Sequence, residues 1–180
     1  MDLHVEDGRL GVPTLRTARL LLRALRPSDA PAITAALNNY EVSKWLTMVP
    51  YPYTLADAEW FIAENAKGRF RARLIWAGDR LVGTIGLENE LGYWLAQDAW
   101  GQGYATEAAQ AVLAHHFAST DADLVNSSHF VENTASRNVL TKLGFVDVGA
   151  HVHFSNARQA DVPGRSMQLT RKGWEAIQHG

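Results

Sequence analysis

The sequence predicts an α/β (α+β mixed) fold, a single domain in which helices cover both faces of a central mixed sheet. Three observations carry that expectation. The chain has 180 residues, 47% of them hydrophobic, enough for one core that removes about 70% of the unfolded surface from water. Apolar residues recur at helical spacing in the first third of the chain and take on the texture of strands from Ala72 onward. An aromatic strand around Gly92-Tyr93-Trp94-Leu95 then turns into a helix through a glycine-rich corner at 100–108, Trp-Gly-Gln-Gly-Tyr-Ala-Thr-Glu-Ala.

In chain order, residues 20–25 suit a first strand, and Pro27-Ser28-Asp29 opens a helix with Ala32, Ile33, Ala36 and Leu37 on one face. A second helical stretch covers 42–46. A third begins at Thr54, whose hydroxyl can cap the helix carrying Ala58, Phe61 and Ile62. Two apolar runs flank the polar turn Gly78-Asp79-Arg80 and read as a hairpin, and 91–96 returns as a fourth strand. The helix after the corner places Ala105, Ala108, Ala109, Val112, Leu113, His116 and Phe117 in a buried stripe and ends near Ser119. Residues 124–131 suit a fifth strand. Asn133 opens a crossing helix with Ala135, Val139, Leu140 and Leu143 facing inward and Gly144 ending it. Stretches 145–148 and 165–170 bring the strands to about seven. Between them, residues 150–164 carry His151, His153, Pro163 and Gly164 with weak periodicity, and a loop or irregular hairpin is expected.

Charge and composition exclude several classes. Seventeen Lys and Arg against nineteen Asp and Glu leave a net charge of −2, so the global positive field used for non-specific nucleic-acid binding is missing. Cysteine is absent, which removes disulfides, thiolate metal sites and a cysteine-based acyl-enzyme. No stretch approaches the roughly 18 consecutive apolar residues of a membrane span, and the first residues have no basic segment followed by an apolar core. A soluble, cytoplasmic protein with no membrane partner is expected. His115 and His116 are adjacent on a helix and point about 100° apart, and His151 with His153 has no nearby carboxylate in sequence, so no metal is expected.

The corner is an anion receptor. Gly101 and Gly103 keep side chains off the backbone, and the first turn of a helix has unpaired N–H groups with partial positive charge. A Walker loop would need Lys followed by Ser or Thr after its last glycine, and neither is here. The dinucleotide pattern GxGxxG finds its first two glycines and, roughly 20 residues on, Asp121 and Asp123, but Thr106 stands at the third glycine. A tight turn without ligand is a further reading. The pattern Q/R-x-x-G-x-G/A fits at Gly103 and Ala105, with Trp100 at its first position.

Residues 133–145, Asn-Thr-Ala-Ser-Arg-Asn-Val-Leu-Thr-Lys-Leu-Gly-Phe, decide among these. With the corner, they resemble the two halves of the acetyl-coenzyme A site of the GNAT superfamily of N-acetyltransferases. Thr17-Ala-Arg-Leu-Leu-Leu-Arg23, Asp29-Ala30, Pro50-Tyr-Pro-Tyr-Thr54 and Gly92-Tyr-Trp-Leu95 resemble its RimJ/RimL-like branch, where an aromatic commonly stands at the position of Trp100. The resemblance runs from about Thr14 to Thr170. It implies one N-acetyltransferase domain over 14–170, with 1–13 an N-terminal extension and 171–180 a C-terminal tail.

The resemblance also implies a mostly antiparallel sheet that splays between the fourth and fifth strands, here 91–96 and 124–131. The pantetheine arm would lie in that gap. Backbone groups of Trp94 and Leu95 would pair with it, the pyrophosphate would rest on Gly101, Gln102, Gly103, Tyr104, Ala105 and Thr106, and Asn133 and Ser136 would complete the site. Direct transfer needs an unprotonated amine, whereas an N-terminal ammonium has a pKa of about 8 and an alkyl one about 10. Glu90 is the first candidate base, by resemblance to histone-acetylating relatives; a solvated turn residue is the competing reading, and His129 is the reserve. Many relatives protonate the leaving thiolate with a Tyr at the position of Leu140, so Ser136 is expected to serve, with water as the alternative. Trp45, Tyr51, Tyr53 and Trp60 line an acceptor pocket or pack in the core. The acceptor is a protein N-terminus or a small amine. A non-catalytic acyl-coenzyme A-binding or sensing module is the alternative, an NAD-binding module a further one, and a homodimer is left open.

Overall fold

The structure is a computed structural model that describes residues 5–6 and 12–178. Among these residues nine strands form one sheet, in the order β1-β2-β3-β4-β5-β6-β7-β9-β8. They are β1 (Val5–Glu6), β2 (Thr14–Arg16), β3 (Leu21–Arg23), β4 (Ala72–Ala77), β5 (Arg80–Leu87), β6 (Glu90–Leu95), β7 (Leu124–Phe130), β8 (Val146–Ser155) and β9 (Ala160–Thr170). Helices are α1 (Ala30–Leu37), α2 (Tyr40–Ser43), α3 (Leu55–Ala66), α4 (Tyr104–Ser119), α5 (Thr134–Lys142) and α6 (Arg171–Gln178).

The sheet divides the core in two, where a single core was expected. One cluster joins Leu22, Ile85, Leu91, Val112, Leu113, Leu140 and Leu169 with Trp174 under α4, α5 and α6. The other joins Leu25, Ile33, Leu37, Ala58, Ile62 and Leu74 under α1–α3. Local signals act as read: the Thr54 side chain accepts from the Asp57 N–H while Asp57 reaches back to the Thr54 N–H. Gly144, at φ 88°, ends α5. Ala135, expected to face inward, is exposed, because α5 turns its Val139–Leu140 side to the core.

Three segments differ from expectation. Two strands precede the expected first one, and β1 lies in the segment read as an extension, pairing Val5 with Leu15 and Glu6 with Thr14; strands of two or three residues are too short for periodicity to reveal. The segment after 170 is helical. Arg171 donates to the carbonyls of Phe117 (2.8 Å) in the last turn of α4 and of Thr120 (2.7 Å) and Ala122 (3.1 Å) just beyond it, and Trp174 stacks on Phe117. Residues 150–164 are a regular hairpin: β8 pairs with β9 from Val146↔Gln168 to Ser155↔Ala160, with one register shift between Asp147 and Gly149. Pro163 is tolerated because its side of β9 faces the end of β7; its carbonyl accepts from the Val131 N–H, and no donor is needed from it toward β8.

All neighbouring strands are antiparallel except β6 and β7, which pair in parallel at Glu90↔Asn126 and Leu91↔Ser127 alone. Beyond Leu91 each keeps only its outer partner, β5 for β6 and β9 for β7. A wedge therefore opens between Tyr93–Leu95 and Ser128–Phe130. Among the described residues, no helix is long and apolar enough to cross a membrane.

Candidate active site

A cleft of about 630 Å³ follows this wedge from the glycine corner to the β8–β9 hairpin. At its first end, Gly101 (φ 72°) and Gly103 (φ 79°) hold left-handed backbone that other residues adopt at a cost of about 1–2 kcal/mol. A side chain at Gly101 would meet open space, so conformation rather than crowding requires that glycine. Helix α4 starts with no side-chain cap, and its first regular bond runs from the Glu107 N–H to the Gly103 carbonyl. The N–H groups of Tyr104, Ala105 and Thr106 are therefore available to an anion, and these residues line the cleft.

The corner is braced from behind. Arg19 donates from Nε to Glu107 Oε2 (2.7 Å) and from Nη1 to the Gln102 carbonyl (3.0 Å), and the Thr17 hydroxyl donates to Glu107 Oε1 (2.5 Å). Burial pushes the Glu107 carboxyl up, but the Thr17 and Arg19 hydrogen bonds and the Arg19 charge outweigh it and hold the group below the ordinary carboxylate value. Arg19 thus neutralises the one acidic side chain in the first turn of α4. The Gln102 amide donates to the Asp98 carbonyl (3.1 Å), so this side chain closes the turn.

The middle of the cleft is backbone. Because the Ala96 N–H donates to Val82, the β5–β6 register turns the N–H and C=O of Trp94 toward Thr84 of β5 and those of Tyr93 and Leu95 into the wedge. Of the two residues expected to pair with the arm, Leu95 presents its backbone and Trp94 does not; the Trp94 indole packs with the α1–α3 cluster. Tyr93 presents its backbone to the wedge instead. The Leu95 carbonyl is already bound by the Trp100 indole N–H (3.0 Å), which leaves the Leu95 N–H and both Tyr93 groups facing the gap.

Across the gap the Asn133 side chain caps α5, accepting from the Ser136 N–H (3.0 Å). The Ser136 hydroxyl meets the Tyr93 phenol at 2.9 Å, and that phenol also donates toward the Ser136 carbonyl (3.3 Å). Burial pushes the Tyr93 phenol up to about 12, against a smaller opposing effect of the Ser136 bond. Leu140, at the position where many relatives carry Tyr, is fully buried. A phenol from β6 thus reaches Ser136, 43 residues away in sequence. Only strand alternation hinted at it.

The far end is built from side chains. Glu90 is exposed at the base of the wedge, with the Ser128 hydroxyl 3.4 Å from its Oε2. His129 is buried, and its Nδ1 lies 2.8 Å from the Phe130 carbonyl, which ties the ring to the backbone. His151 and His153 share a face of β8, with ring centroids 4.3 Å apart. Of the four aromatics considered for an acceptor pocket, Trp45 lines the cleft. Tyr53 is buried in the α1–α3 cluster, Trp60 packs on Phe70, and Tyr51 packs on Tyr40. Ser155 Oγ donates to Leu46 O, the Asn156 N–H to Thr47 O, Asn156 Nδ2 to Met48 O, and Arg158 Nε to Lys44 O, all at 2.8–3.1 Å, so the hairpin tip is tied to the segment after α2. Arg158 also pairs with Glu132 (2.8 Å). No group of three or more metal-ligating side chains is found among the described residues.

Known proteins share this architecture. The family described as Acetyltransferase (GNAT) domain matches residues 19–146. The chain is 29% identical over 153 residues to the uncharacterized N-acetyltransferase YoaA of Bacillus subtilis (strain 168), covering 76% of this chain and 85% of YoaA. A GNAT-family acetyltransferase from Bacillus anthracis superposes with a TM-score of 0.77 at 22% identity, covering 88% of this chain and 99% of the other. RimL, a ribosomal L7/L12 alpha-N-protein acetyltransferase solved with coenzyme A, gives 0.74 at 20% identity, covering 86% and 95%. The splayed parallel pair, the uncapped glycine corner and the family match agree, and the chain belongs to the GNAT family of acetyltransferases.

Proposed function

We propose that this acetyltransferase moves an acetyl group from acetyl-coenzyme A directly to a primary amine within a ternary complex. The observation that carries the reading is the single cleft, with uncapped N–H groups at one end, unpaired strand backbone in the middle and a carboxylate beside two imidazoles at the other. An anion, an extended amide-bearing chain and an ammonium group meet those three surfaces in that order. Acetyl-coenzyme A supplies the first two and the activated acyl group.

The roles of the residues follow from their chemistry. Tyr104, Ala105 and Thr106 hold phosphate oxygens through backbone N–H groups. The Tyr93 and Leu95 backbone aligns the arm, and the Leu95 N–H donates to the carbonyl oxygen as charge develops there. Glu90 draws in the acceptor ammonium and holds the water through which its proton leaves. Ser136 donates to the departing sulfur. With the Tyr93 phenol at about 12 and a thiol near 8.5, complete proton transfer from the phenol to the thiolate is uphill by about 5 kcal/mol. The hydroxyl pair thus acts as a hydrogen-bond donor, and the proton that ends on sulfur comes from the attacking nitrogen.

RimL, the neighbour that acts on a ribosomal protein, makes protein N-termini of the RimJ/RimL type the first acceptors to try, with small alkylamines second. The experiment is calorimetric titration with acetyl-coenzyme A and separately with NAD, followed by thiol release in the presence of an alanine-initiated peptide or butylamine. Binding of acetyl-coenzyme A with amine-dependent thiol release is the expected result. Binding without turnover would favour a sensing module, and affinity for NAD alone would overturn the reading.

A further inference from the structure

We infer that His151, leaning across β9 into the acceptor end of the cleft, is a proton acceptor in acetyl transfer, a role that rests on the reading above. His151 stands directly opposite Gly164 in the β8–β9 ladder. A Cβ built at Gly164 would fall 2.3 Å from His151 Nε2 and 2.8 and 2.9 Å from Cε1 and Cδ2. Gly164 has no left-handed backbone to explain it, so the imidazole is what requires a glycine there. The missing side chain lets the ring lie over β9 toward β7, and the Ser166 hydroxyl fixes it at Nδ1 (3.0 Å). With Nδ1 engaged, Nε2 is left at the edge that reaches inward. Glu90, Ser128 and His153 share this end of the cleft with it.

Basicity favours the imidazole for this task. Moving a proton from an alkyl ammonium to an ordinary carboxylate crosses about six pK units, and to an ordinary imidazole about four; a base serves best when its pKa lies near the working pH. The ring's surroundings keep it unprotonated at neutral pH. Burial lowers its pKa first, then the His153 ring, with Glu90 of β6 opposing and His129 of β7 adding to the lowering. On β9, Arg165 is occupied by Asp147 (2.6 Å), and on the hairpin tip Arg158 is occupied by Glu132. In the step itself, an ammonium N–H bond breaks and its proton goes to Nε2, directly or through one water. The freed nitrogen lone pair forms the C–N bond, the C–S bond breaks, and the second nitrogen proton leaves with the sulfur as thiol. His151 then returns its proton to solvent.

The test is the pH dependence of kcat/KM for acetylation of an alanine-initiated peptide. The acceptor's own ammonium gives a slope of one on the acid side, and protonation of His151 adds a second proton at a pH lower than an ordinary imidazole would. In His151→Gln the rate at pH 7.5 falls about 100-fold, the slope stays at one throughout, and acetyl-coenzyme A affinity and Tm hold. Gly164→Ala, which pushes the ring aside without straining the backbone, reproduces the rate loss with cofactor affinity intact. Glu90→Gln and His153→Gln slow the reaction yet keep the two-proton limb. A His151→Gln enzyme that retains the two-proton limb overturns the assignment, as does a Glu90→Gln enzyme that loses it. Wild-type protein that binds acetyl-coenzyme A and releases no thiol with any amine overturns the transfer reading, and the role of His151 with it.

Discussion

The two ends of the cleft are built on different principles. The corner end presents backbone N–H groups from one contiguous segment, residues 101–106, and its nearby charges, Arg19 and Glu107, cancel each other. The far end presents side chains from four separate segments: Trp45 after α2, Glu90 on β6, Ser128 to Glu132 on and after β7, and His151 with His153 on β8. Backbone recognition suits a ligand that never changes and tolerates most side-chain replacements. Side-chain recognition can be altered one residue at a time, so in the function proposed above the second end is where acceptor specificity would be set.

Substitutions can break that contrast, and the largest effect is expected at the corner. Gly103→Val puts a branched side chain on left-handed backbone, its Cβ 3.5 Å from the Arg19 guanidinium that braces the corner; acetyl-coenzyme A affinity should fall up to about 30-fold, the worth of roughly 1–2 kcal/mol of strain. Gln102→Ala should leave calorimetric affinity within about threefold, since only one turn-closing hydrogen bond is lost; a loss as large as that of Gly103→Val would show that side chains, not backbone, hold the cofactor.

At the other end, Ser155→Ala with Asn156→Ala removes two of the ties between the hairpin tip and the segment after α2. At about 1 kcal/mol each, the acceptor KM should rise roughly tenfold while acetyl-coenzyme A affinity stays constant. An equal weakening of both substrates would mean that the ends are not independent.

Tyr93→Phe sits between the ends and should lower kcat about fivefold, the worth of one hydrogen bond. Combined with Ser136→Ala it should add little more, because the two hydroxyls act as a pair. Additive losses in that double-mutant cycle would separate their roles.

The smallest effect concerns acid stability. Glu107 titrates lower in the folded protein than unfolded, so its contribution is fully present above the unfolded value of about 4.5 and is lost as pH falls through the folded value. Glu107→Gln should therefore be less stable than wild type by about 1 kcal/mol at pH 7, and the difference should shrink below pH 4. Chemical denaturation at the two pH values measures it; a constant gap would assign the effect to packing.

The same contrast governs how much was legible beforehand. The Thr54–Asp57 capping box, the hairpin around Gly78, the glycine corner and the Asn133 cap are satisfied by neighbours within a few residues, so composition and spacing announce them. The β8–β9 hairpin was not legible, because β8 is an edge strand that exposes Val146, Val148, Val152 and Phe154, and the register shift between Asp147 and Gly149 puts Val146 on the face of His151 and His153, so no clean apolar alternation appears. Helix α6 was missed for a related reason: its anchor, Trp174, is one residue whose partner Phe117 lies far back in the chain.

Sequence alone determined the class of the fold, the family, and the glycine corner that opens α4, because left-handed glycines and uncapped helix starts are properties of a few consecutive residues. Tertiary structure alone decided which strand residues turn their backbone into the wedge, that the Tyr93 phenol meets Ser136 while Leu140 is buried, and that His151 lies over Gly164 in the cleft. Those outcomes depend on register, and register is set by hydrogen bonds and packing between strands distant in sequence, where a slip of one residue would exchange the two faces of the sheet.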